Sequence, residues 1–128
     1  MLIGLLEDDL AIQQMLQIVL EGVGHEVAIY PTAETCLAAL HITEQASGLP
    51  IPDLLIADQR LPKSAFGTDV IELMRANPRL NALPIILMTA SAFPNKSDLA
   101  RLRVTLLAKP FDIDEIVRLV DELTSSRS

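Results

Sequence analysis

The sequence predicts one α/β domain, a five-stranded parallel sheet doubly wound by helices on both faces. Two observations carry this. Five short apolar runs alternate along the chain with five segments of helical apolar spacing, and strands that alternate with helices run parallel through right-handed crossovers. The length of 128 residues fits a single domain, and a 50% hydrophobic content supplies enough apolar surface to offset chain entropy.

Leu2 to Leu6 is an apolar run that ends abruptly at Glu7, Asp8 and Asp9, as a buried strand would. From Leu10, apolar residues recur at Ile12, Met15, Leu16, Val19, Leu20 and Val23, a helix that Gly22 and Gly24 stop and Asp9 is placed to cap. Glu26 to Tyr30 is a second strand. Thr32 caps a second helix carrying Leu37 and Leu40, with Cys36 at its core or boundary. Ser47 to Pro52 is a Gly and Pro connector. Asp53 to Asp58 is the third strand, ending in a carboxylate.

Pro62 to Gly67 reads as a loop, and Val70, Ile71, Leu73 and Met74 form one face of a third helix that closes before Pro78. Pro84 to Thr89 is the fourth strand. Phe93 to Asn95 holds a proline turn, and Ser97 is placed to cap a short helix with Leu99, Ala100 and Leu102. Thr105 to Ala108 is the fifth strand. Asp112 begins a last helix whose Ile113, Ile116, Val117, Leu119, Val120 and Leu123 share a face. The domain is expected over residues 1–124, with 125–128 as a tail or the start of a linker.

Charge and cysteine content narrow the function classes. A net charge of −7 repels a phosphate backbone, so no direct nucleic-acid binding is expected. Cys36 is the only cysteine, which leaves no disulfide and no cysteine-based metal site and points to a reducing, cytoplasmic setting. No apolar run approaches the roughly 18 residues of a membrane span, and no signal peptide or anchor is expected. His25 and His41 are expected at the surface.

In open parallel sheets ligands bind outside the carboxyl ends of the strands. Those ends present Glu7 and Asp8, Asp58, Thr89 and Lys109. Three carboxylates at one rim repel each other unless a cation sits among them. Without His or Cys, an all-oxygen set suits Mg²⁺, which keeps several waters and shares its shell with phosphate oxygens. Phosphoryl chemistry follows from that choice.

An acidic pair after strand one, an aspartate after strand three, a hydroxyl residue after strand four and Lys109–Pro110 after strand five together resemble the receiver domain of two-component response regulators, chemotaxis regulators included. The resemblance covers nearly the whole chain and implies the flavodoxin-like strand order 2-1-3-4-5. It implies that Asp58 is the nucleophile, taking a phosphoryl group from a phosphohistidine of a histidine kinase or phosphotransfer protein. Asp8 and Asp58 would bind Mg²⁺ directly, Glu7 through water, and the backbone carbonyl of Arg60 would complete the protein ligands. Lys109 would offset charge on the transferring oxygens, and Thr89 would donate a hydrogen bond to the phosphoryl group once it has arrived.

The sequence departs from the family at four places, one of them a lengthened connector from Ser47 to Pro52, far from the chemistry. Leu106 stands where an aromatic is usual, three residues before the lysine. The segment from Thr89 to Lys109 is short, leaving room for a brief fourth helix, and Lys63 to Gly67 is one residue longer than the commonest form. The resemblance also implies that the side chain of Arg60, two residues after Asp58, would reach the phosphoryl group or screen it from water and so tune the phosphate lifetime.

The expected function is therefore a phosphoacceptor receiver, not an enzyme in its own right although it assists its own phosphorylation and dephosphorylation. Output would pass through contacts with a downstream protein target, since no DNA-binding or enzymatic domain follows Leu123; a homodimer is possible. The alternative is a pseudo-receiver acting as a phosphorylation-independent scaffold. A flavin carrier of similar topology would need a phosphate loop where Asp8 to Ile12 offers carboxylates. Whether the chain is complete or an excised module of a hybrid kinase stays open.

Overall fold

The computed structural model describes residues 1–42, 51–90 and 96–125. Its elements are β1 (Leu2–Leu6), α1 (Leu10–Gly22), β2 (Glu26–Tyr30), α2 (Ala33–Ile42), β3 (Leu54–Asp58), a 3-10 turn (Pro62–Ser64), α3 (Gly67–Arg75), β4 (Ile85–Thr89), α4 (Lys96–Leu102), β5 (Thr105–Ala108) and α5 (Ile113–Ser125). The strands form one all-parallel sheet in the order β2-β1-β3-β4-β5.

Strand periodicity divides the core in two, because successive side chains point to opposite faces. Leu54, Ile56, Ile86 and Met88 turn to one face, where Leu16 and Leu20 of α1 and Ile116 and Val120 of α5 cover them. Leu55, Ala57, Ile85 and Leu87 turn to the other, under Cys36 and Leu40 of α2, Val70, Ile71 and Met74 of α3, and Leu102 of α4. Every residue of β3 and β4 is buried, as continuous apolar strands between two helical layers require. The order changes direction between β1 and β3, so the rim at their carboxyl ends is open to a ligand.

Local signals set the helix ends. Asp9 Oδ1 accepts from the N–H groups of Ala11 and Ile12 at 2.8 and 3.2 Å, and Thr32 Oγ1 accepts from Thr35 N–H at 3.0 Å. Gly24, at φ 99°, turns the chain out of α1. Burial satisfies Cys36 as a core residue and pushes its thiol up to about 12, which leaves it inert.

Several expectations are corrected. Val23, Leu73 and Ile113, which helical spacing places on apolar faces, are 52%, 52% and 48% exposed. Val23 lies beyond the last turn of α1, Ile113 is the first residue of α5, and Leu73 falls outside the stripe of Val70, Ile71 and Met74 that meets the sheet. Ser97 lies inside α4, not before it. His25 is half-buried against the base of the sheet, with Nδ1 enclosed and its pKa lowered by desolvation. The expected proline turn at 93–95, most of the connector at 47–50, residues 126–128 and the side chain of His41 lie outside the described residues. No described helix is long and apolar enough to cross a membrane.

Candidate functional site

The site is assembled from four strand ends. β1 hands its last hydrogen bond to Glu7, whose N–H donates to Tyr30 O at 3.1 Å. The Glu7 side chain then folds back over its own loop, and Oε2 accepts from the N–H groups of Asp8 and Asp9 at 3.0 and 3.1 Å. From α1, Gln13 Nε2 donates to Glu7 O at 2.6 Å and locks this turn against the helix. Asp58 closes the wholly buried β3, and Asp8 stands exposed beside it.

Carboxylate oxygens of Glu7, Asp8 and Asp58 all lie within 4.8 Å of one another. Lys109, half-buried after β5, reaches in between: its Nζ is 3.2 Å from Asp58 Oδ1 and 3.5 Å from Glu7 Oε1. Its backbone is fixed by a bond from Lys109 N–H to Thr89 O at 2.7 Å, and the peptide bond from Lys109 to Pro110 is cis. Thr89, buried at the end of β4, borders the same pocket, a cavity of about 470 Å³ that Asp58, Gln59, Arg60, Phe66, Ala90 and Lys109 also line. Arg60 is exposed at its rim. All the expected site residues therefore meet at one place.

Electrostatics leave this arrangement short of positive charge. Desolvation pushes Glu7 up to about 7; the hydrogen bond from the Asp9 backbone opposes the shift, and the Asp58 carboxylate adds to it. Glu7 Oε1 is buried and, among the described residues, has no hydrogen-bond partner, only Lys109 Nζ as a distant ionic neighbour. One lysine faces three acids. An orphaned carboxylate oxygen beside two further carboxylates, with no nitrogen or sulfur donor, fits a hard divalent cation.

Sequence reasoning missed Gln13, Gln59 and Phe66, and read Gly67 only as the end of a loop. Gly67 opens α3 directly against the end of β3: its N–H donates to Gln59 O at 2.8 Å. Arg60 and Phe66 face each other as an isolated antiparallel bridge across the loop. Polar residues beside an apolar strand end were the available signal for Gln59; nothing in the sequence marked Gln13. Leu106, where the family's aromatic would stand, is 40% exposed on β5.

A doubly wound parallel sheet with three acids and a lysine at its carboxyl rim defines a class of α/β domains with an acidic site at the strand ends. Residues 3–121 match the response regulator receiver domain family, and the chain belongs to that family, a module of two-component signalling. It is 32% identical over 127 residues to the DNA-binding transcriptional regulator NtrC of Salmonella typhimurium, covering 97% of this chain and 25% of that protein. The chain thus spans about a quarter of the length of that relative. Among solved structures it is similar to the phosphorylated cyanobacterial phytochrome response regulator RcpA, with TM-score 0.79, 26% identity and coverage of 99% and 95% of the two chains. It is also similar to the receiver domain of the sensor histidine kinase PA1611 of Pseudomonas aeruginosa, which carries a magnesium ion coordinated in its active-site cleft. There the TM-score is 0.77, the identity 25% and the coverage 97% of each chain.

Proposed function

We propose that this receiver domain accepts a phosphoryl group on Asp58 in a Mg²⁺-dependent reaction and transmits the change through protein contacts. The observation that carries the reading is the convergence of Glu7, Asp8 and Asp58 within 4.8 Å around an orphaned Glu7 oxygen, with Lys109 Nζ 3.2 Å from the acceptor carboxylate.

Asp58 Oδ attacks the phosphorus of a phosphohistidine on a histidine kinase or phosphotransfer protein; the new P–O bond forms as the P–N bond breaks, and the imidazole leaves with the electron pair. Asp8, Asp58 and the backbone carbonyl of Arg60 would hold Mg²⁺, with Glu7 reaching it through water. When bound, the ion neutralises charge on the transferring oxygens. Lys109 supplies a second, fixed positive charge at the acceptor. Its backbone is tethered to Thr89 O, and its ammonium already stands 3.2 Å from Asp58 Oδ1.

Thr89 lines the same pocket as Asp58, and its hydroxyl donates to a phosphoryl oxygen only after transfer. That bond favours a second arrangement of the β4–α4 region. Leu106 is 40% exposed and offers no aromatic ring to accompany such a shift. Arg60, exposed at the rim, screens the acyl phosphate from attacking water. Partners are accordingly a phosphohistidine donor and a downstream protein.

The test is incubation with acetyl phosphate, with and without Mg²⁺, read by intact mass. A phosphoryl adduct on wild type that needs Mg²⁺ and vanishes in Asp58→Ala supports the reading. No adduct on wild type favours a phosphorylation-independent scaffold.

A further inference from the structure

Helix α3 begins with an exposed phenylalanine at its N-cap, and Phe66 offers no side-chain hydrogen bond to the first turn. An uncapped N-terminus leaves backbone N–H groups in need of acceptors. The acceptor comes from β3's end instead. Gln59, the residue after Asp58, is 3% exposed, and its Oε1 accepts from Thr68 N–H at 3.0 Å while its Nε2 donates to Thr68 Oγ1 at 3.3 Å. The backbone of Gln59 is held as well: its N–H donates to Met88 O at 2.9 Å and its carbonyl accepts from Gly67 N–H at 2.8 Å.

A buried carboxamide carries a strong penalty unless both ends find partners. Here both ends are used on a single residue, so the side chain has one satisfied arrangement. Together with the bond from Leu61 N–H to Ala65 O at 3.0 Å, this fixes the chain on both sides of Arg60. Arg60 is the residue whose carbonyl the preceding reading assigns to the cation, and a carbonyl held in place before binding needs no ordering when the ion arrives.

We propose that Gln59 is a positioning residue: by capping α3 from the phosphoacceptor strand, it ties the Asp58–Arg60 turn to Thr68 and raises the affinity of the acidic site for Mg²⁺. This rests on the reading of the site as a Mg²⁺ site. Linkage makes the effect reciprocal, so Mg²⁺ binding also tightens the first turn of α3.

The experiment titrates Mg²⁺ alone into the unphosphorylated full chain, with the dissociation constant from calorimetry and backbone amide shifts of Gly67 and Thr68 from NMR. Gln59→Leu weakens Mg²⁺ binding roughly tenfold, the usual scale for a partner that orients metal ligands. Thr68→Ala, which leaves the buried position intact and removes one of the two side-chain bonds, weakens it by about threefold. In wild type the Thr68 amide shifts with the same midpoint as metal binding. A purely structural role lowers melting temperature while leaving the dissociation constant unchanged. Mg²⁺ binding by wild type with affinity unchanged in both variants overturns the clamp alone. No Mg²⁺ binding by wild type overturns the metal-site reading and the clamp with it.

Discussion

A Cβ atom built on Gly67 would stand 2.5 Å from the carbonyl oxygen of Asp58. The first turn of α3 therefore touches the backbone of Asp58, and the constraint on Gly67 is one of space. Because the obstructing atom is backbone, it cannot rotate away. Gly67→Ala is expected to destabilise the domain by about 1–3 kcal/mol, the cost of overpacking, measured by urea denaturation. An unchanged midpoint would show that the contact relaxes freely.

Glu7 gives the metal-free protein a defined pH dependence. Its folded pKa of about 7 lies above the ordinary 4.5, so the folded state holds a proton that the unfolded chain has released between those values. Stability falls as pH rises from 4.5 to 7 and levels off above, by at most about 3 kcal/mol. Glu7→Gln removes that slope and stabilises the metal-free chain at pH 8. Mg²⁺ opposes the loss in wild type because it stabilises the ionised carboxylate. Thermal melts across pH, with Mg²⁺ and with chelator, test the sign.

Crowding of the acids makes a second prediction about the metal-free state. Asp58→Asn removes a buried negative charge beside Glu7 and leaves Lys109 to pair with Glu7 alone. The variant should melt higher than wild type in chelator and gain less on adding Mg²⁺. Equal Mg²⁺ stabilisation of both proteins would remove Asp58 from the ligand set.

Arg75 joins α3 to the end of α4. Its guanidinium donates to the carbonyls of Leu102 (2.8 Å), Arg103 (3.1 Å), Leu83 (2.8 Å), Asn81 (3.1 Å) and Leu80 (3.4 Å). These acceptors include the last turn of the seven-residue α4, which Leu102 in the core and an Arg101–Glu72 ion pair at 2.6 Å also hold. Arg75→Met strands several carbonyls and should cost about 2–4 kcal/mol. Hydrogen exchange should rise first around 102–104. Exchange that rises uniformly would contradict a local anchor.

The exposed Arg60 side chain predicts a kinetic effect. If it screens the acyl phosphate, Arg60→Ala hydrolyses its phosphoryl group several-fold faster than wild type while being phosphorylated normally. Equal autodephosphorylation rates would assign Arg60 no role beyond its carbonyl.

Much of this was legible from residue type and order. The apolar strands that end in Glu7, Asp58, Thr89 and Ala108 fixed both the layer architecture and the rim, since a buried strand can shed charge only at its ends. Asp9 and Thr32 announced their helices because capping is a local hydrogen bond. What was not legible depends on distance in space. Gln59 reads as a polar residue after a strand until the fold brings Thr68 to it. Gln13 reads as an ordinary helical position until α1 places its amide under Glu7 O. Leu73 and Val23 misled because helical spacing identifies a stripe without locating its edges, and the half-burial of His25 follows from its place at the base of the sheet.

The most direct test of the central claim is to locate the phosphoryl group chemically. Wild type treated with acetyl phosphate and Mg²⁺ is reduced with borohydride, which converts an aspartyl phosphate to homoserine, and its peptides are sequenced by mass spectrometry. Homoserine at position 58, absent when Mg²⁺ is withheld, is the predicted result. A labelled residue elsewhere, or none with the acidic site loaded with Mg²⁺, would contradict it.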